Sequence, residues 1–409
     1  MGDGNIAWMI VASALVLFMT PGLAFFYGGL VRAKNVISTM MYSFISMALI
    51  SVVWVVWGYS LAFGSGGSFM GPFIGNFDYL FLDGVVTDPS TAAADLVFVV
   101  FQMMFAIITP ALITGAFVER FKFSTYMLFI VLWVTLVYAP ICHWVWASDG
   151  WLFARGALDF AGGTVVHLNA GIAALVAAFL VGKRRNGADG GIVAHNVPYV
   201  LLGASILWFG WFGFNAGSGL SANFTAVNAF LVTNTAAAAA ALTWLVIGVI
   251  HTKKFSAVGA ATGAVAGLVA ITPASGFVDV AGALAIGVTV SMVCYFVAIL
   301  MEKSPIDDAL AVFGVHGVGG AWGALMTGIF AVEGIGGTAG LIEGNAAIVV
   351  EQLIAVLATL AYSGVATFII LKVLDVIPGL GLQEAENIEA TGLDANVHGE
   401  RGYIADGAD

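Results

Sequence analysis

The stretch "DFAGGTVVHLNAGIAALVAAFLVGKRR", from Asp159 to Arg185, decides the class of the fold. Between the leading aspartate and the basic residues at its end, it carries no Asp, Glu, Lys or Arg. The hydrocarbon core of a bilayer is about 30 Å thick, and an α-helix needs about 20 mostly apolar residues to cross it. The stretch therefore predicts a membrane-spanning helix, with one unexpected residue, His167, in its apolar part.

The rest of the chain has the same character. Of its 409 residues, 61% are hydrophobic and 9% are charged, whereas a soluble protein carries about a quarter charged residues. The net charge of −11 is concentrated in loops and the tail, so it indicates no nucleic-acid partner. The first apolar run follows "MGDGNIAW", which lacks a basic region, so we interpret it as a retained helix and not a signal peptide. The sequence predicts an all-α polytopic membrane protein.

The polar segments that separate the apolar runs divide the chain into eleven predicted transmembrane helices. They are predicted near residues 7–31, 37–63, 95–118, 123–147, 160–182, 196–218, 226–251, 256–274, 279–301, 309–332 and 346–376. Twelve of the 13 basic residues then fall on one side of the membrane, and only Arg155 falls on the other. The positive-inside rule then places the N-terminus outside and the C-terminus in the cytoplasm. We expect the protein to lie in the plasma membrane. We predict a transport domain over residues 1–377 and a cytoplasmic tail over 378–409.

Two short motifs that each occur twice indicate an internal repeat. The tetrapeptide "ITPA" occurs at Ile108–Ala111 and again at Ile271–Ala274, and "VVHLNAG" in the fifth span is matched by "GVHGVGG" in the tenth. Both pair a span with the fifth span after it. Because five is odd, the second copy must be upside down in the membrane, as in many transporters. This predicts an inverted 5+5 repeat, about 1–186 and 187–333, plus one extra helix at about 346–376.

Two of the six histidines lie deep inside their predicted spans. His167 follows Asp159 by eight residues and His316 follows Asp308 by eight, which is about 12 Å of helix in each case. The two spans run in opposite directions, so the imidazoles approach the midplane from opposite faces, with an axial separation of about 6 Å in a core of about 30 Å.

An ionisable group at that depth usually marks a substrate or proton path. A hydrogen-bonding element between helices is the structural alternative. A metal site is disfavoured because no Cys, Asp or Glu cluster accompanies the histidines, and we predict no cofactor.

Aromatic residues gather in three other spans. Phe101 and Phe105 lie one turn apart in "FQMMF", Trp146 ends "HWVW", and Phe214 and Ser218 close "WFGWFGFNAGS". Interfacial aromatic belts would explain most of the tryptophans. Aromatic faces with one hydroxyl at a pore mouth would also bind a small cation, since cation–π attraction contributes about 0.5–2 kcal/mol per contact.

These motifs together resemble one family. The stretch from Asp159 to Arg185 closely resembles the signature of the ammonium transporter family (Amt/Mep/Rh), in its prokaryotic Amt branch. "FFYGGLVRAKN", "GAFVERFKFS", "WFGWFGFNAGS" and "FGVHGVGGAWGALMTGIF" look like its other hallmarks, so the resemblance covers essentially the whole chain. It implies an eleven-helix homotrimer, not an enzyme, with one pore for ammonium or ammonia in each subunit.

The resemblance also implies a site for substrate recruitment. Trp146, Phe105 and Ser218 match the family's outer ammonium site, and Phe101 lies beside it. Asp159 matches an aspartate that is taken in the family to shape this site without binding the substrate.

A gate and a pore follow from the same comparison. Phe105 and Phe214 resemble the stacked phenylalanine gate of the family, and His167 and His316 match its twin-histidine motif. Gln102 occupies a position near the mouth and is a weaker candidate.

One position departs from the family pattern. An aspartate usually precedes the second histidine by five residues, and here Ala311 stands there; Asp307 and Asp308, just upstream, are the candidates to replace it. The tail sequence "LDANVHGERGY" resembles the family's regulatory C-terminus, which implies control by a PII-type signalling protein.

Several functional alternatives stay open at this point. A transporter-like sensor would report ammonium through its tail, and an Rh-like channel would pass neutral gas without a cation site. A membrane enzyme is disfavoured because the spans hold no nucleophile motif. The sequence settles neither whether transport carries net charge nor whether methylammonium is a substrate.

Overall fold

The computed structural model describes residues 1–65, 70–88, 92–185 and 193–403. Over these ranges the chain is helical, and the single β-type contact is an isolated bridge between Phe121 and Gln383. The long helices, numbered in chain order, are α1 (Asp3–Leu30), α2 (Ala33–Phe63), α3 (Ala93–Ala116), α4 (Phe123–Trp133, Val134–Tyr138 and Ala139–Trp146), α5 (Gly163–Val181), α6 (Val197–Gly217), α7 (Phe224–Thr252), α8 (Ala257–Ile271), α9 (Val280–Glu302), α10 (Phe313–Gly317 and Val318–Phe330) and α11 (Ala347–Val376).

Within the described ranges, nine helices are long and apolar enough to cross a membrane. A shorter apolar helix, α8, lies at the predicted eighth span, and helix α10 lies at the predicted tenth span. Each predicted span thus coincides with a helix. The predicted border between the repeats, at 186 and 187, lies outside the described residues, as do residues 404–409 of the predicted tail.

The surface of the bundle is apolar where a lipid face is expected. Large hydrophobic side chains point outward on α7, α9 and α11, among them Phe230, Val246, Phe296, Leu357 and Phe368. Continuous apolar surface of this kind is unusual on a soluble protein and is expected where hydrocarbon is the solvent.

The two histidine helices, α5 and α10, cross in backbone contact. A Cβ atom added at Gly171 would lie 2.1 Å from the backbone nitrogen of Gly317, and one added at Gly320 would lie 2.7 Å from the backbone nitrogen of Leu168. Gly171 follows His167 by four residues, and Gly320 follows His316 by four. Each glycine therefore lets its own helix approach the other just beside the opposite histidine, which is how small residues promote helix association in membranes.

The loops that precede α5 and α10 are each hydrogen-bonded to the other half of the chain. The backbone N–H of Phe160 donates to the Pro273 carbonyl, within the second "ITPA", at 3.1 Å. The N–H of Ala309 donates to the Ala116 carbonyl, at the end of the helix that contains the first "ITPA", at 3.2 Å. These bonds hold both histidine helices to the rest of the bundle.

An ionic cluster closes one end of the bundle, which we call the basic end. Glu119 is buried and accepts hydrogen bonds from Arg32 at 2.9 Å and Asn35 at 3.0 Å, while Asp307 binds Arg184 through both carboxylate oxygens, at 2.8 and 2.6 Å. Burial acts to raise the pKa of Glu119, but the hydrogen bonds and charge of Arg32 outweigh it and lower that pKa. For Asp307 the opposing contribution of Arg184 likewise lowers the pKa in spite of burial. Both carboxylates therefore stay ionised and paired.

The tail folds back onto the basic end. The carboxylate of Asp394 accepts hydrogen bonds from the N–H groups of Ile37 and Ser38, at 3.0 and 2.8 Å, near the start of α2. The Tyr403 hydroxyl lies 3.0 Å from a ring nitrogen of His195, just before α6. A carboxylate at a helix N-terminus is stabilised by the free N–H groups there, so the described part of the tail has a defined docking position.

Gly171→Ala is expected to destabilise the protein, because the new methyl would overlap the α10 backbone, which cannot move as a side-chain tip would. Overpacking of this kind costs about 1–3 kcal/mol or more. The thermal unfolding of the detergent-solubilised protein measures it. Gly248→Ala is the matched control, since its Cβ meets nothing within 4 Å. Equal unfolding temperatures for the two variants would contradict the close crossing.

Candidate functional site

His167 and His316 meet inside the bundle. Their Nδ1 atoms are 3.2 Å apart, and the ring centroids are 5.3 Å apart with an interplanar angle of 26°. Both side chains are almost fully buried, at 1% and 4% exposure. Each lies in a short π-helical turn, Gly163–Leu168 in α5 and Phe313–Gly317 in α10, and such turns are frequent at functional sites.

Asp159 holds the start of α5. Its carboxylate accepts from the backbone N–H groups of residues 162, 163, 164 and 165, at 2.6–3.2 Å, and from the Thr164 hydroxyl. Its own carbonyl accepts the indole N–H of Trp146 at 2.8 Å. One residue thus caps the helix of His167 and fixes an aromatic ring at the end of α4.

Asp308 has the corresponding place before α10. Its carboxylate accepts from the N–H groups of Val312 and Phe313, at 3.0 and 2.8 Å. Ala311 adopts a left-handed backbone, with φ +56, which an alanine adopts only at an energetic cost. Asp308 therefore supplies the helix cap upstream of His316, while Asp307 is engaged with Arg184.

A narrow cavity lies against the histidine pair. Its volume is about 10 Å³, which is room for about one water-sized molecule. Besides the two histidines, its walls are apolar or aromatic: Met19, Leu23, Phe26, Ile108, Leu112, Leu207, Trp211, Phe214 and Val265. The Nε2 atom of His167 is buried and has no hydrogen-bond partner among the described residues.

A row of aromatic rings leads from the end of α4 to the histidines. The ring centroids of Trp146 and Phe105 are 5.8 Å apart, and those of Phe105 and Phe214 are 4.2 Å apart. Phe214 then lies 5.8 Å from the ring of His167, at an interplanar angle of 26°. Phe105 and Phe214 are buried, so these two rings separate the partly buried Trp146 from the cavity.

The other residues predicted for this site lie around the same row. The ring of Phe101 is 4.9 Å from that of Phe105, and it also packs on Gly217, next to Ser218. The Ser218 hydroxyl donates to the Phe214 carbonyl at 2.9 Å. The side-chain oxygen of Gln102 is buried without a hydrogen-bond partner in the described part of the chain.

Trp211 is a site residue that the sequence analysis did not single out. Its ring stacks on His167 with a centroid distance of 5.3 Å and an angle of 22°, and its N–H donates to the Thr272 hydroxyl at 2.8 Å. Its spacing of three residues from Phe214 was the available signal, because residues i and i+3 share a helix face.

His143 has a structural position. It is fully buried, with ring nitrogens 2.9 Å from the Ala62 carbonyl and 2.5 Å from the Gly71 carbonyl. It holds the end of α4 to the end of α2 and to the loop that follows α2. Over the described residues, no group of three or more His, Cys, Asp or Glu is placed to hold a metal ion.

The helices and the buried site together define a polytopic α-helical membrane protein with a histidine pair behind an aromatic row. The chain belongs to the ammonium transporter family, since the model described as Ammonium Transporter Family matches residues 7–403.

Individual proteins resemble the chain over nearly its whole length. It is 47% identical over 403 residues to the ammonium transporter Amt1 of Archaeoglobus fulgidus, which covers 98% of this chain and 100% of that protein. Among solved structures, Mep2 of Saccharomyces cerevisiae superposes with a TM-score of 0.88 at 39% identity, covering 94% of this chain and 91% of that one. A sensor Amt protein also superposes with a TM-score of 0.88, at 32% identity, covering 97% and 98%.

Asp159→Asn is expected to destabilise the protein more than Asp308→Asn. The carboxylate of Asp159 accepts five hydrogen bonds and that of Asp308 accepts two, and each bond to a charged group contributes about 1.5–3 kcal/mol. An amide replaces one acceptor oxygen by a donor that faces N–H groups. Thermal unfolding of both variants measures the difference, and an equal or reversed order would refute the assignment of the caps.

Proposed function

We propose that this protein conducts ammonium across the plasma membrane by passing ammonia through the histidine-lined cavity. The observation that carries the proposal is the continuous row from Trp146 through Phe105 and Phe214 to the buried pair His167 and His316. Membership of the ammonium transporter family supports the choice of substrate.

Recruitment takes place at the aromatic end of the row. The faces of Trp146, Phe105 and Phe101, with the Ser218 hydroxyl nearby, provide π-electron density and one hydroxyl oxygen for a small cation. Asp159 acts indirectly, because its carboxylate is occupied by the cap of α5 and its carbonyl holds Trp146.

The neighbouring rings of Phe105 and Phe214 form the gate. Their contact at 4.2 Å closes the path in this conformation, so the substrate passes when the rings turn aside. Beyond them the walls are apolar, and a bare cation there costs at least about 2.5–3.5 kcal/mol. Ammonium avoids this cost by losing a proton, whereas potassium, of similar size, has none to lose.

The histidine pair suits a neutral substrate such as ammonia. A contact between two Nδ1 atoms at 3.2 Å needs one donor and one acceptor, and two neutral rings meet that need with one shared proton. One Nε2 atom is then a donor and the other an acceptor, which matches ammonia's ability to do both. If the pair also relays the released proton, transport carries charge; if the proton stays outside, it is electroneutral.

The proposal includes a specific membrane arrangement. All eleven long helices cross the bilayer, the first ten as an inverted 5+5 repeat, with the N-terminus outside and the basic end in the cytoplasm. The mutual fit of Gly171 and Gly320 supports the inverted repeat, and the positive-inside distribution supports the orientation.

We further propose a homotrimer whose tail is read by a PII-type regulatory protein at the cytoplasmic face. The support for a regulated tail is its docking through Asp394 and Tyr403 at the basic end. Membrane lipid covers the remaining apolar surface.

A sensor is the second candidate function, and its support is the similarity to the solved sensor Amt protein. A sensor would bind ammonium and change its tail without significant flux. A neutral gas channel would pass ammonia without recruiting the cation at Trp146.

Electrophysiology on proteoliposomes with an enclosed pH dye tests the proposed pore. His167→Ala and His316→Ala are each expected to lower the response to an ammonium pulse about tenfold or to admit potassium, because each leaves the other imidazole unpaired in an apolar cavity. His251→Ala is the control, since His251 is exposed and contacts Tyr295 instead. Unchanged ammonium responses and unchanged potassium exclusion in both variants would sink the proposal.

A further inference from the structure

Helix α11 places a polar face inside the bundle. Gln352, Thr359, Ser363 and Thr367 are all buried, and their spacing puts them on one side of a helix with 3.6 residues per turn. Ser363 donates to the Asn169 carbonyl on α5 at 2.9 Å. The helix that falls outside the proposed 5+5 repeat is therefore attached to the helix of the first histidine.

Gln352 makes the most complete set of contacts on this face. Its side-chain oxygen accepts the Leu158 N–H at 2.6 Å, and its amide nitrogen donates to the carbonyls of Leu158 at 2.8 Å and of Ala324, on α10, at 2.7 Å. It is 1% exposed. Only a primary amide offers both an acceptor and two donors from one group, so neither Glu nor Met reproduces this arrangement.

Space for this contact is provided by Gly328 on α10. A Cβ atom there would lie 3.0 Å from Cγ of Gln352. The Gln352 side chain is thus held by Leu158, Ala324 and Gly328, and its hydrogen bonds fix its rotamer.

Leu158 directly precedes Asp159. The residue that Gln352 clamps is therefore adjacent to the one whose carboxylate caps α5 and whose carbonyl holds the Trp146 indole. A shift of Leu158 would be passed on to Asp159 through the chain. Glu351 adds a bidentate ion pair with Arg155, at 2.8 and 3.1 Å. This pair is partly exposed, so it contributes less to holding this loop than the buried hydrogen bonds of Gln352 do.

We propose that Gln352 is a positioning residue for substrate recruitment: it fixes Leu158 and thereby the place of Asp159 and the Trp146 ring. This rests on the proposed function, in which Trp146 belongs to the recruitment site. Gln352 touches no substrate itself, and it ties the recruitment site to the α10 helix that carries the second histidine.

Gln352→Met tests the proposal, because it keeps the volume and removes all three hydrogen bonds. We expect the half-saturating ammonium concentration to rise roughly tenfold, with the maximal response nearly kept, since a buried peptide group loses its partners beside the recruitment site. Thr359→Val is the matched control: it lies two turns further along the same buried face, and its hydroxyl has no partner among the described residues. A purely structural role would lower the maximal response in proportion to folded protein and leave half-saturation unchanged, which would overturn the proposal.

Hydrogen exchange of the peptide that spans residues 158–166 gives a second, flux-independent readout. In Gln352→Met these amides should exchange faster than in the wild type and in Thr359→Val. If Gln352→Met does not fold, Gln352→Asn, whose amide is one methylene too short, decides by the same two measurements. If the wild type shows no ammonium flux, the proposed function is refuted, and hydrogen exchange alone then tests whether Gln352 fixes Leu158. Unaltered exchange in the variant would refute that role of Gln352.

Discussion

The backbone contact between α5 and α10 is the constraint on which the rest of the site depends. The backbones of the two helices approach this closely because Gly171 and Gly320 carry no side chain, and the imidazoles of His167 and His316 meet at this crossing. Lipid offers no hydrophobic drive for helices to associate, so close packing and polar bonds must hold the pair together. The contact between His167 and His316 follows from the crossing.

The crossing in turn requires that both helices begin at fixed points. An apolar medium leaves no water to satisfy the first N–H groups of a helix, so a side chain must do it. Asp159 and Asp308 serve this purpose on opposite sides of the bundle. Because Asp159 also fixes Trp146, the cap of the first histidine helix and the proposed recruitment site form one unit, and Gln352 attaches that unit to α10 and α11.

Much of this architecture was predictable from the sequence, because its determinants are local or periodic. Apolar runs predicted the helices, and the equal spacing from Asp159 and Asp308 predicted that the two histidines approach each other. The contact between Gln352 on α11 and Leu158 was not predictable, since these residues are far apart in sequence and no periodic pattern links them. No sequence pattern indicates the burial of His143 either, because its partners are the carbonyls of Ala62 and Gly71, far away in the sequence.

The chemical claim at the centre of this account is that the protein distinguishes ammonium from potassium by deprotonation. The most direct measurement applies equal pulses of ammonium and potassium to proteoliposomes that contain the wild-type protein and an internal pH dye. The account predicts a response to ammonium, as current or as a rise of internal pH, and none to potassium above that of empty liposomes. Equal responses to the two cations, or none to ammonium, would contradict it.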